Sequence, residues 1–536
     1  TATNKSGHNK PAQHPLNATA RPTTTQPPPK MKLLLPTLLL LPALATAQTP
    51  HLSQTGGSTT STTTWSIEAA PNQVYGVLLA LTETPSEPFP GVFLDIPLTL
   101  LPLTFNLPGF LGTTSPTGTA AAAFTLAEPA LAGLTISAQA LTGPNFDAPS
   151  NLIRVTLANE GTFAPTLGNP ILPIVGGAAA PDANGDLIFA GGSGPLAQRY
   201  LADLEEFEDA GVTFGTGLLA QATGLNDGRI LFTGGFDTAG TPTADSAVYD
   251  PNTELTTTLA MGEKRAGHQA TLMSDGRVMI TGGFANISVD LQAIIADPLQ
   301  IISVFQGLLN STEFFDPTTD TFAAGPNMLE PRALHTATAM NNGKILVAGG
   351  MSLLPIVNLP NISGTAYAYD PNIGSFGFPS FFSGARLLHS AILQADGSVL
   401  MAGGLAVDLS GFLTSGDPLD ITVGSLDDIQ RYTTTFFGGS FSSVGTLSES
   451  RAAAGMGRTS KGGVLIAGGL HVTLGANLTT LDFGLTATSE VYTQGSGVTS
   501  TGSMANPRVF PVLVPLADGT TMIVGGGPVE AEIFQP

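Results

Sequence analysis

The sequence predicts an all-β protein: a seven-bladed β-propeller preceded by a small β-sandwich. Three observations carry this. An apolar run closed by Gly-Gly recurs seven times, at Gly191, Gly234, Gly282, Gly349, Gly403, Gly468 and Gly525. A tight-turn pair precedes most copies, as in Asp227-Gly228, Asp275-Gly276 and Asp396-Gly397, and such pairs join hairpin strands. An aromatic-bearing strand follows most copies, as in Glu313-Phe-Phe-Asp-Pro317, Glu490-Val-Tyr492 and Glu532-Ile-Phe534. With a weaker strand such as Thr321–Ala324 behind it, each unit reads as four antiparallel strands.

Composition narrows the classes. The 536 residues hold 64 Gly and 41 Pro, which favours turns over long helices. No cysteine is present, so disulfides, thiolate metal sites and Cys nucleophiles are excluded. Acids outnumber bases 40 to 19, a charge of −21 that argues against nucleic acid as a partner.

No Asp or Glu precedes Glu68. Residues 1–30 read as a disordered upstream extension with four scattered bases. Met31-Lys32, the apolar run 33–44 and Ala45-Thr46-Ala47 read as a secretory signal over 31–47. Two prolines and the short run argue against a membrane span, which takes about 20 apolar residues. The expectation is therefore a secreted protein, extracellular or periplasmic. Without 1–47 it has 40 acids against 14 bases, or −26.

Residues 48–64, rich in Ser and Thr, read as a flexible linker. Over 65–158 apolar and polar residues alternate, as in Thr64–Glu68 and Leu134–Ala140, which predicts a β-sandwich accessory domain. The propeller is expected over 161–536. Its seventh unit ends after three strands, while 161–168 resembles the fourth strand at 320–325. Residues 161–168 are thus expected to complete the seventh blade and close the ring.

These motifs resemble the Kelch family, of the galactose-oxidase-central-domain type found in secreted bacterial proteins. The family pattern runs from Arg-x-x-His through Asp-Gly to Gly-Gly, and the third unit matches it from Arg265 and His268 through Asp275-Gly276 to Gly282-Gly283. The usual fourth-strand Trp is missing, the first two units lack Arg-x-x-His, and the last two keep only Arg451 and Arg508. Copper-radical oxidases of this type need a Cys joined to a Tyr, so the resemblance implies no such activity here.

In a four-stranded blade the second-to-third connections share one face. Here these are the long insertions 284–311, 351–365, 405–428 and 470–488, all apolar. They either form a contact surface or pack on one another as a lid over the channel mouth. The same face should carry Arg265, Arg332, Arg386, Arg451 and Arg508. These five form either a cationic ring for a carboxylate or sulfate, or five separate pairs with strand acids such as Glu313, Glu490 and Glu532. His268, His335 and His389 each follow an Arg by three residues. Equivalent positions in adjacent blades lie too far apart to share a metal, so these histidines are expected to hydrogen-bond within the fold; with the five arginines they are also the candidate binding residues, a His being the acid/base in the sugar-enzyme alternative. Neither a cofactor nor a metal is expected. The functional expectation is a non-catalytic binding or adhesion propeller for protein or glycan. The alternatives are an isomerase or lyase acting on an acidic sugar, and a structural cell-surface component.

Overall fold

A computed structural model describes residues 48–536, except 91, 126–127, 175, 183–184, 191–195, 214–216, 238, 287–306, 355–358, 409, 416–421, 436–437 and 475–480. The expected extension and signal, residues 1–47, lie outside the described residues. The fold is all-β, with only short helical turns such as Leu101–Thr104 and Ser410–Ser415. Residues Gln48–Pro536 form one compact unit. Among the described residues no helix is long and apolar enough to cross a membrane.

Two sheets face each other at the amino-terminal end. One is His51–Thr55, Thr62–Glu68 and Thr119–Thr125. The other is Leu111–Thr113, Val74–Ala80, Thr135–Thr142 and Ala148–Thr156. Period-two alternation turns Thr63, Trp65 and Ile67 inward, where Leu52, Val77, Ile136 and Ile153 complete one core. Trp65 lies edge-on to Phe110 at 5.6 Å and stacks on Phe124 at 5.4 Å.

Residues 48–64 differ from the flexible spacer expected of them. His51–Thr55 pairs with Thr62–Glu68 in register, and Gln54, Ser58 and Thr59 are buried. Alternation decides this: Leu52 enters the core while its N–H donates to Asn151 Oδ1 at 2.7 Å. The hydroxyls that made the stretch look like a spacer find partners within the fold, such as the Thr59 hydroxyl on Asn159 Oδ1.

The Gly-Gly repeats form seven antiparallel sheets of four strands, one of them with an extra short strand. The third is Gln269–Leu272, Val278–Thr281, Thr312–Asp316 and Thr321–Ala324. The seventh takes its fourth strand from Thr162–Pro165, which pairs with Ala531–Gln535; Phe163 and Phe534 are directly opposed, rings 5.1 Å apart.

Each second strand is buried on both faces, and its alternate side chains join the sheets before and after it. Leu231 meets Val278 and Ile280, Met279 meets Ile345 and Val347, and Leu400 meets Val464 and Ile466. Leu187 and Phe189 of the first sheet meet Met522 and Val524 of the seventh. First strands follow the same neighbour order, with Val512–Pro515 beside Ala178–Pro181.

The turns that hold these tight-turn pairs are one residue longer than the pair itself. Met273 N–H donates to Arg277 O at 2.8 Å, Gly276 N–H donates to Met273 O at 3.0 Å, and Gly276 alone has a positive φ, +87°. That is a three-residue loop whose glycine makes a bulge. The sixth repeat, which lacks the Asp-Gly signal, folds the same turn through Lys461-Gly462.

Candidate functional site

The five arginines lie at the starts of their sheets, and all five side chains are fully buried. Each places Nη1 on the carbonyl of the first glycine of its own repeat, 17 residues on. The distances run from 2.8 Å at Gly282, Gly349 and Gly403 to 3.1 Å at Gly468 and 3.2 Å at Gly525. In five repeats the Arg carbonyl, in turn, accepts the second glycine N–H of the preceding repeat, for example Gly283 N–H to Arg332 O at 2.7 Å. The same bond runs from Gly526 N–H of the seventh repeat to Ile174 O ahead of the first.

Each guanidinium also meets a carboxylate. Arg265 pairs with Glu313 and Glu263 at 3.0 Å each, Arg451 with Glu490 at 3.2 Å and Arg508 with Glu532 at 2.9 Å. Of these, Glu313, Glu490 and Glu532 are the strand acids the sequence offered. Arg332 uses Glu330 at 3.1 Å, because its third strand carries Tyr367 instead; that ring lies 5.0 Å from the guanidinium and its hydroxyl donates to Glu330 Oε1 at 2.7 Å. Arg386 uses Asp428 at 2.8 Å, which also accepts from Gln430 Nε2. The arginines therefore do not form an open cationic ring. Each guanidinium reached the interior only because a carboxylate and carbonyls replace its lost water. Glu263, Glu330 and Glu449 were missed as partners, although each stands two residues before its Arg as Glu-x-Arg.

The histidines are fixed one by one. His268 Nε2 lies 2.9 Å from Thr233 Oγ1, His335 Nε2 2.9 Å from Thr281 Oγ1, and His389 Nε2 2.9 Å from Thr336 Oγ1. Burial pulls His268 and His389 down to about 3 and His335 well below its ordinary value, with the adjacent Arg adding to each effect. All three rings are neutral near pH 7. Among the described residues no group of three or more His, Asp or Glu is placed to hold a metal.

The rings also explain the Gly-Gly phrase. A Cβ on Gly349 would lie 2.6 Å from His389 Cε1 and 2.7 Å from Arg386 O, at a φ of +63°. Only glycine combines that φ with that clearance.

Two residues after each of the five arginines, and at Gly176 and Leu219 in the first two repeats, the chain turns left-handed: Gly176, Leu219, Gly267, Leu334, Leu388, Ala453 and Phe510 all have φ between +52° and +61°. From Leu219 to Phe510 each N–H donates to the carbonyl of the one before, at 2.7–3.3 Å. Beneath them is a cavity of about 170 Å³, lined by His268, His335, His389, Gln221, Gln269 and Phe510 among others.

The described parts of the insertions fold as hairpins: Met351–Leu353 with Pro360–Ile362, Leu405–Asp408 with Thr422–Ser425, and Leu470–Leu474 with Leu481–Leu485. Phe236, Phe284, Met351, Ile362 and Leu387 share one apolar cluster, with Leu405 and Val407 against it. Ser425 Oγ accepts from Val472 N at 3.1 Å and ties the last two hairpins together. Phe483 and Leu485 remain outside, 64% and 50% exposed. The apolar stretches 291–296 and 301–305 lie outside the described residues.

The chain is thus an all-β protein of repeated four-stranded sheets. No family model and no curated protein sequence matches it. One solved structure similar to it, titled "Structure of YjhT", aligns with 62% of this chain and 99% of that chain, at a TM-score of 0.44 and 16% identity.

Proposed function

We propose that this chain is a seven-bladed, Kelch-type propeller that is exported and binds protein or glycan, without catalysis, through the face bearing the long second-to-third connections. Support for the seven-bladed ring comes from the bonds and apolar clusters that run from sheet to sheet and join the seventh to the first. The export reading rests on the signal-like segment 31–47.

One observation carries the binding reading. Among the described residues the insertions place Phe284, Met351 and Ile362 in one buried apolar cluster, yet the edge strand Leu481–Leu485 leaves Phe483 and Leu485 uncovered. An aromatic side chain exposed on a rigid hairpin is the kind of group that stacks on a sugar face or anchors a protein contact. An acidic-sugar isomerase would need a free guanidinium for its carboxylate, and the five arginines spend theirs on the fold, which favours binding.

A glycan array and a protein pulldown test the proposal, with Phe483→Ser as the disabled form. The proposal expects a ligand from one screen and at least about a tenfold loss of affinity in the variant, the size of one anchor side chain. No ligand in either screen, or a ligand indifferent to Phe483, would overturn it.

A further inference from the structure

The two-sheet region and the first and seventh repeat sheets have separate apolar cores, so the joint between them is polar. Arg154 N–H donates to Asp203 O at 2.8 Å, Asn151 Nδ2 to Asp203 Oδ2 at 2.7 Å, and Gly56 N–H to Asp518 O at 3.0 Å. At the same joint sits Glu205, 7% exposed, at a φ of +53° in the turn between Leu196–Leu201 and Glu206–Thr213. Its Oε1 accepts Thr156 N–H at 2.8 Å and its Oε2 accepts the Thr156 hydroxyl at 2.6 Å.

Among the described residues no ion pair reaches Glu205. Arg154, the nearby cation, is committed to Glu83 at 2.5 Å and Glu206 at 2.6 Å. The remaining titratable groups around the joint are Asp518 from the seventh repeat, Asp203, Tyr200 and Asp186 from the first, the last paired with Arg199 at 2.8 Å, and His51 from the amino-terminal sheets. Tyr200 is fully buried and its hydroxyl has no partner. Acids therefore outnumber cations at this joint.

We propose that this joint is an acid-strengthened clasp, in which protonation of the buried, uncompensated Glu205 carboxylate holds the amino-terminal sheets more tightly against the repeats. A buried carboxylate with no counter-charge is costly, and the cost vanishes when it takes up a proton. Burial raises the Glu205 carboxyl and Asp518 adds to that, while the two Thr156 donors and Arg154 pull the other way without cancelling it. The Asp518 carboxyl is raised by burial as well. The docked value thus lies above the undocked one. The penalty is fully present above the docked value, shrinks as pH falls through it, and is gone below about 4.3, the ordinary Glu value.

The test is amide hydrogen exchange in the full chain between pH 4.5 and 7.5, corrected for intrinsic rates. It follows Thr156, Arg154 and Gly56 at the joint, with Trp65 as the reference inside the sandwich. Protection at the joint should rise as pH falls, by about tenfold for each unit by which docking raises the carboxyl. Glu205→Gln should make the slope shallower, leaving only the part that Asp518 contributes, and raise protection at pH 7.5 above that of the parent. Asp518→Asn, which leaves Glu205 in place, should keep a shallower slope. An unchanged slope in Glu205→Gln, or joint protection that falls with pH alongside Trp65, would overturn the proposal.

Discussion

The two amino-terminal sheets and the repeat sheets solve the same packing problem differently. The former bury one apolar core around Trp65, Phe110 and Phe124, a second cluster around Leu78, Leu94 and Ile96 lies beside it, and among the described residues no buried ion pair enters either. The repeat sheets spread their apolar contacts over seven thin interfaces and add a buried Arg–carboxylate pair in five of them. Apolar contact is non-directional and sets no angle between sheets. The glycine-to-Arg bonds do, because each joins fixed backbone positions of consecutive repeats, while the Arg-to-glycine bond anchors the same Arg within its own repeat. The comparison teaches that directed bonds appear where a sheet must be placed against its neighbour, and that bulk burial suffices where two faces merely close on each other.

The largest expected effect comes from breaking one such pair. Arg332→Ala leaves Glu330 buried without its cation and should cost about 3–5 kcal/mol in chemical unfolding, the usual size for a buried pair cut on one side. A loss below about 1 kcal/mol would mean that the pair does little for the fold. Next is acid: His268 and His389 are buried neutral with values near 3, against about 6.5 when unfolded. The unfolded chain then binds more protons, so stability of the repeats should fall as pH drops from about 6.5 toward 3. His389→Asn should make that fall shallower. The sandwich core has no such group, so probes at Trp65 should report little of this loss.

Smaller effects sharpen the same contrast. Ile67→Val, inside the sandwich core, should cost about 0.5–1.5 kcal/mol, with little change in the Arg–carboxylate pairs. Phe483→Ser, on the exposed hairpin, should leave stability within about 0.5 kcal/mol while removing ligand binding. A large stability loss there would place Phe483 in the fold rather than at a contact surface.

How much was legible depends on whether the signal was local. The Gly-Gly phrase marks the buried second strand because a left-handed glycine is needed there in each of the six repeats whose glycines are described, from Gly234 to Gly525. Glu313, Glu490 and Glu532 could be named as Arg partners, since each occupies the same place in its aromatic strand. The partners of Arg332 and Arg386 could not be read from that place, because Tyr367 and Gln430 stand there; Glu330 is marked only by its Glu-x-Arg spacing and Asp428 by nothing local. Residues 48–64 misled because Ser and Thr look alike in a spacer and in a paired strand. Only the strand at Thr119–Thr125, distant in sequence, makes Thr62–Glu68 a central strand. The positive φ of Leu334, Leu388 and Phe510 leaves no compositional trace, since contacts between repeats impose it.

The central claim is that the five arginines hold the fold together and bind nothing from outside. Footprinting the folded protein with phenylglyoxal, read by peptide mass spectrometry, tests it most directly. Arg277, 39% exposed, should be modified rapidly, while Arg265, Arg332, Arg386, Arg451 and Arg508 should stay unmodified until the protein unfolds. Modification of those five in the folded protein, blocked by a sugar acid, would contradict the account and restore the open cationic ring.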